Sequence, residues 1–96
     1  MTEKLAAKKW NAEQLEDWLI HRVAQLLEQS TDDIDPDMPF NSLGLDSINV
    51  MDLIVELDDL LGVEIESTIV WDYPTIHLLS EYVATLDKNR SGIDKE

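Results

Sequence analysis

The 96-residue sequence predicts an all-α fold, a bundle of three main helices plus one short helix. Apolar residues recur at i, i+3 and i+4 over three long stretches, each opened or closed by residues suited to helix ends. Aromatic residues are only 6% of the chain, which favours aliphatic helix packing over a β-sandwich. Nothing in the chain reads as strand.

The first helix runs from about Ala12 to Gln29. Asn11 caps it, with Gln14 three residues on in the manner of a capping box. Leu15, Trp18, Leu19, Val23, Leu26 and Leu27 form its apolar face, and Glu13, Glu16 and Asp17 suit the positive end of its dipole. A long loop follows from Ser30 to Asp46, where Pro36 and Pro39 rule out a continuous helix. Ile34, Met38, Phe40 and Leu43 punctuate this loop and hold it against the core. The second long helix begins at Asp46 or Ser47 and ends near Leu61, where Gly62 suits the left-handed residue after a helix. After a connection from Val63 to Thr68, Ile69, Val70 and Trp71 form a single helical turn. Thr75 then caps a last helix to about Leu86, with Ile76, Leu79, Tyr82, Val83 and Leu86 facing inward.

This organisation is one domain over residues 12–86, with a polar N-terminal extension at 1–11 and a frayed polar tail at 87–96. The chain is 44% hydrophobic and has no cysteine, so helix packing rather than disulfides or a cysteine-based zinc site stabilises it. No apolar segment follows the N-terminal lysines, and none approaches the roughly 18 residues of a membrane span. A cytoplasmic protein is the expectation.

The formal net charge is −14, and its distribution says more than its total. From Thr31 to Asp87 there are 14 Asp and Glu and no Lys or Arg, counted along the sequence. Such a surface repels nucleic acid and anionic membranes, and it attracts basic protein surfaces. Acidity that serves solubility alone is the plainer reading.

At about 100° per residue the second long helix has two apolar faces. Val50, Leu53, Ile54, Leu57, Leu60 and Leu61 form the core stripe. Ile48, Met51 and Val55 fall opposite, beside Asp52 and Asp59. Either another element, such as the long loop, covers these three residues, or they form a docking strip ringed by acids. Ser47 heads the helix after Gly44, Leu45 and Asp46. It is either an ordinary N-cap or a point for attached phosphate, which a helix N-terminus favours.

The run Phe40-Asn41-Ser42-Leu43-Gly44-Leu45-Asp46-Ser47-Ile48 resembles the phosphopantetheine attachment motif of acyl carrier proteins, F-x-x-L-G-x-D-S followed by Leu or Ile. Val70-Trp71-Asp72-Tyr73-Pro74-Thr75-Ile76 is similar to the stretch of Phe or Trp, then D-x-P-T, that precedes the last helix of polyketide-synthase-type carriers. Bacterial dissociated fatty-acid-synthase carriers usually lack this second stretch. The resemblance covers about residues 12–86 and implies an acyl-carrier-type four-helix bundle. It further implies a 4'-phosphopantetheine from coenzyme A joined to Ser47, bearing acyl, polyketide or fatty acyl groups as thioesters. Asp46 would help bind the metal and coenzyme of the phosphopantetheinyl transferase and cap the helix. Gly44 would allow close backbone approach, Leu45 and Ile48 would flank the arm, and Phe40 and Leu43 would anchor the loop. The docking residues would be Ile48, Met51, Asp52, Val55, Glu56 and Asp59. They would meet basic surfaces of acyltransferases, ketosynthases and other synthase enzymes, with no catalysis by the carrier, a monomer, itself.

Peptidyl carriers usually place G-G before His or Asp and the serine, and Leu45 departs from that. Carriers devoted to β-branching hold Trp six residues after the serine, where this chain has Leu53; Trp71 reads instead as a core anchor. The initial Met and polar tails suit a free-standing carrier, with an excised domain the other possibility. Two other classes fail on residues. A calcium loop counted from Asp33 needs Gly and Glu where Met38 and Gly44 stand, and Pro36 intrudes. A serine hydrolase needs G-x-S-x-G, and His21 and His77 are surface or boundary residues of helices, remote from Ser47. A carrier of aryl or aminoacyl cargo, or a docking adaptor that bears no arm, stays open.

Overall fold

The computed structural model describes residues 10–94, with side chains described for residues 10–86. Among the described residues four α-helices, α1 (Ala12–Leu27), α2 (Phe40–Leu43), α3 (Ser47–Leu61) and α4 (Ile76–Asp94), are joined through two 3₁₀ turns, Thr31–Asp33 and Ser67–Trp71. Among the described residues the only strand-like pairing is an isolated antiparallel bridge between Pro39 and Thr75. No helix among them is long and apolar enough to cross a membrane.

The start of α1 is the expected capping box. The Asn11 side chain accepts the Gln14 N–H at 2.7 Å, and the Gln14 side chain accepts the Asn11 N–H at 3.1 Å. The helix stops at Leu27, two residues short of the expected Gln29, because Glu28 turns left-handed (φ 56°). That turn brings the Gln29 N–H to the Ala24 carbonyl at 2.9 Å, which satisfies an orphan end-group.

The long connection carries more structure than a loop. Ser30 caps its 3₁₀ turn, and Pro39, whose fixed φ suits a helix start, leads into the single turn of α2. Ile34 and Phe40 are buried and Leu43 half-buried, as expected. Met38 is exposed instead, since the turn that joins its N–H to the Asp35 carbonyl (3.1 Å) directs it outward. Two backbone bonds pin the segment to the head of α4: Phe40 N–H to the Pro74 carbonyl and His77 N–H to the Pro36 carbonyl, both 2.9 Å.

Gly44 closes α2 at φ 108°, a region closed to L side chains. A Cβ there would lie 3.6 Å from Leu27 Cδ2, an ordinary contact, so the backbone angle rather than crowding calls for glycine. Gly62 closes α3 in the same way, and the Asp58 carboxylate accepts the Ile65 N–H at 3.2 Å to fix the exit.

The core is aliphatic and three-sided. Leu15, Leu19 and Val23 of α1 meet Leu53, Ile54, Leu57 and Leu61 of α3 and Ile76, Leu79 and Val83 of α4. Ile34, Phe40, Leu45 and Ile65 close it from the connections. Val50, Tyr82 and Leu86 are half-buried at its margin, and Tyr82 stacks on Tyr73 with ring centroids 4.5 Å apart. Leu60, expected in the stripe, is 36% exposed; it sits at the stripe's edge, where the helix surface turns to solvent.

Two expectations about the ends change or fall away. The α4 backbone continues past Leu86 to Asp94, through residues that include no proline. The N-terminal extension lies outside the described residues except at its last two positions, where Trp10 packs against the core and Asn11 caps α1.

Candidate functional site

The corner between α2 and α3 is built from Gly44, Leu45, Asp46 and Ser47. Leu45 is buried and anchors the corner to the core beneath. Asp46 is the N-cap: its Oδ1 accepts the Asn49 N–H at 2.8 Å, while Asn49 Oδ1 accepts the Asp46 N–H at 3.4 Å. Capping therefore falls to Asp46, and Ser47 becomes the first helical residue. Its side chain is exposed, and no described group hydrogen-bonds its hydroxyl. The N–H groups of Ser47 and Ile48, in the first turn, have no intrahelical acceptor, and they mark the positive end of the α3 dipole.

Beside this corner lies an open cleft of about 460 Å³. Phe40 and Leu45 form its floor side, Val50 and Met51 of α3 one wall, and Val70 and Trp71 the other, with Ser47 on the rim. An exposed hydroxyl with free N–H groups behind it fits a phosphodiester, and a cleft lined mainly by apolar side chains fits the arm beyond it.

The outer face of α3 is open. Ile48, Met51 and Val55 are 68%, 52% and 59% exposed, with Asp52 and Asp59 exposed beside them. The long connection therefore leaves this strip uncovered. Glu56 does not share the face. Its carboxylate takes a bidentate pair from Arg22 of α1, Nε to Oε1 at 2.6 Å and Nη2 to Oε2 at 2.9 Å. This guanidinium contact holds the Glu56 carboxyl below its ordinary range. The sequence signal for it was that Arg22 is the one cation within residues 12–86, facing a helix that offers acids on its flank.

Trp71 is the larger correction. It is 82% exposed rather than a core anchor. In a 3₁₀ turn side chains three apart eclipse, so Thr68 and Trp71 share the solvent face while Ile69 and Val70 pack inward. The two histidines are engaged away from Ser47: His21 with Asp17, and His77 Nδ1 with Glu16 at 2.9 Å and Nε2 with Glu81 at 3.2 Å.

The family model described as the phosphopantetheine attachment site matches residues 17–83. The acyl carrier protein TtuC of Teredinibacter turnerae is 38% identical over 73 residues, which are 76% of this chain and 84% of that protein. Polyketide synthase PksL of Bacillus subtilis is 33% identical over 67 residues, and there the match spans 70% of this chain but 2% of the synthase. Among solved structures, a free-standing peptidyl carrier protein of Acinetobacter baumannii aligns with a TM-score of 0.73 at 37% identity, over 78% of this chain and 94% of that one. The HMG-ACPI domain of the CurA module from Lyngbya majuscula aligns with a TM-score of 0.76 at 26% identity, over 88% and 86%. The chain belongs to the phosphopantetheine-attachment family, as a carrier protein of the acyl-carrier type related to polyketide synthase carrier domains.

Proposed function

We propose that this protein carries acyl intermediates, polyketide or fatty acyl, on a 4'-phosphopantetheine joined to Ser47, and presents them to synthase enzymes. The observation that carries the reading is the free, exposed Ser47 hydroxyl, left unengaged because Asp46 takes the cap. The bound group supplies a flexible thiol-ended arm that holds cargo as a thioester at high effective concentration near successive enzymes. The chain's own work is positional. Gly44 makes the sharp turn, Leu45 fixes the corner, and the first turn of α3 offers N–H groups and a positive dipole end to the phosphate. Ile48, Met51 and Val55, flanked by Asp52 and Asp59, present an apolar strip with an acidic rim to basic surfaces of a phosphopantetheinyl transferase, acyltransferase or ketosynthase. Met51 in such a strip adapts to several partners in turn. With both histidines engaged elsewhere, no imidazole among the described residues attends Ser47, which supports a carrier without catalysis of its own.

The likeness to a free-standing peptidyl carrier supports a second reading in which the cargo is aminoacyl, against which Leu45 stands at the position of that group's second glycine. The test is intact-protein mass spectrometry after incubation with coenzyme A, magnesium and a broad-specificity phosphopantetheinyl transferase. Wild type should gain one phosphopantetheine and Ser47→Ala none. A folded, initially unmodified wild type that gains nothing would overturn the carrier reading.

A further inference from the structure

Trp71 is the most exposed large apolar side chain among the described residues, and it lies outside the α3 strip, on a different element. It lines the same cleft as Ser47, and Met51 of the strip lines that cleft too. The exposed apolar surface therefore crosses from α3 to the second 3₁₀ turn. Asp46 lines the cleft and Asp72 follows Trp71 directly in the chain; both are exposed, and no Lys or Arg occurs between Thr31 and Asp87 to balance them. An indole held in water at the cleft it shares with an exposed serine, among acids without a basic partner, has the make-up of an interface anchor. Any protein whose catalytic atoms reach Ser47 Oγ must cover that rim.

We propose that Trp71 is a docking anchor for the enzyme that modifies Ser47, inserting its indole into an apolar socket bordered by basic residues on that enzyme. This rests on the carrier reading above and assigns Trp71 a part in it. The occupant is a protein surface rather than the arm, because the acids around the cleft mouth call for cations that a pantetheine chain lacks. Trp71 is a specificity determinant here and takes no part in chemistry. Its contribution belongs to binding, so it raises affinity without altering the transfer step.

The experiment pairs kinetics with a spectroscopic readout, using a broad-specificity phosphopantetheinyl transferase and coenzyme A as the probe. Trp71→Ala should raise KM for the carrier about tenfold and Trp71→Phe about threefold, with kcat within about twofold of wild type. In wild type labelled with 5-fluorotryptophan, the fluorine signal of Trp71 should shift when transferase is added without coenzyme A. The same signal should stay in place when the purified, modified carrier is compared with the unmodified one. A KM for Trp71→Ala within twofold of wild type would overturn the proposal. So would a Trp71 signal that ignores the transferase and moves on modification alone, since the arm would then be the occupant. Should Trp71→Ala fail to fold, the fluorine shift in wild type decides. Failure of the carrier reading itself is separate: wild type would then gain no mass at all.

Discussion

Leu57→Ala is the sharpest test of how α3 divides its two faces. Leu57 is fully buried in the core it shares with Leu15, Leu19, Leu53 and Leu79, drawn from three helices. The substitution removes about three methylene equivalents, or roughly 2.4 kcal/mol of transfer free energy at about 0.8 kcal/mol each. If the space collapsed completely the cost would stop there; an open cavity raises it towards about 5 kcal/mol. Neighbours anchored on separate helices relax only in part, so a loss of about 3–4 kcal/mol is expected. A domain of this size holds on the order of 5–15 kcal/mol in all, and each kcal/mol lost lowers Tm by about 4–8 °C. The assay is urea unfolding followed by circular dichroism, with Leu60→Ala as the companion. Leu60 lies three residues on but is over a third exposed, and its truncation should cost under about 1 kcal/mol. A Leu57→Ala loss below about 1 kcal/mol, or equal losses at the two sites, would refute the helix phase and with it the outward placement of Met51 and Val55.

Two further outcomes concern charge. His77 joins α4 to α1 through Glu16 and pairs within α4 with Glu81, and Asp37 of the long connection adds to the negative field around it; the Glu16 hydrogen bond first, then Glu81, raises its pKa above 6.5. A raised folded pKa gives stability that is complete below the ordinary value and lost as pH climbs through the folded one. Tm should therefore fall as pH rises from below 6.5 to well above it, and His77→Gln should flatten that slope; an unchanged slope would refute the assignment. Separately, Asp52→Lys and Asp59→Lys should slow modification of Ser47 at low salt while leaving Tm within a degree or two, since both are exposed. Glu56→Lys should lower Tm as well, by about 1 kcal/mol or more of stability, because it faces Arg22 with a like charge. Equal Tm values for the three variants would show that the Arg22–Glu56 pair does not join α1 to α3.

The sequence by itself determined the three long helices and the contiguous motif at the α2–α3 corner, because both are local. The capping box at Asn11 acts over three residues, Gly62 answers to its own φ, and apolar periodicity marks Leu15, Leu53 and Leu79 as core without reference to a partner. The motif around Ser47 pointed to phosphopantetheine for the same reason, as its residues are contiguous. Tertiary structure alone decided which side chains are left over once the helices meet. Periodicity gave α3 two apolar faces but could not say whether the long connection covers the outer one. The connection is instead held against the head of α4 by backbone bonds from Phe40 to Pro74 and from His77 to Pro36, a long-range pairing with no local signal. Glu56 stood among the expected docking residues, and only the packing of α1 shows Arg22 within hydrogen-bonding reach of it. Trp71 was misplaced because hydrophobicity argues for burial, whereas a five-residue 3₁₀ turn packed through Ile69 and Val70 has room for only one buried side, and the indole falls on the other.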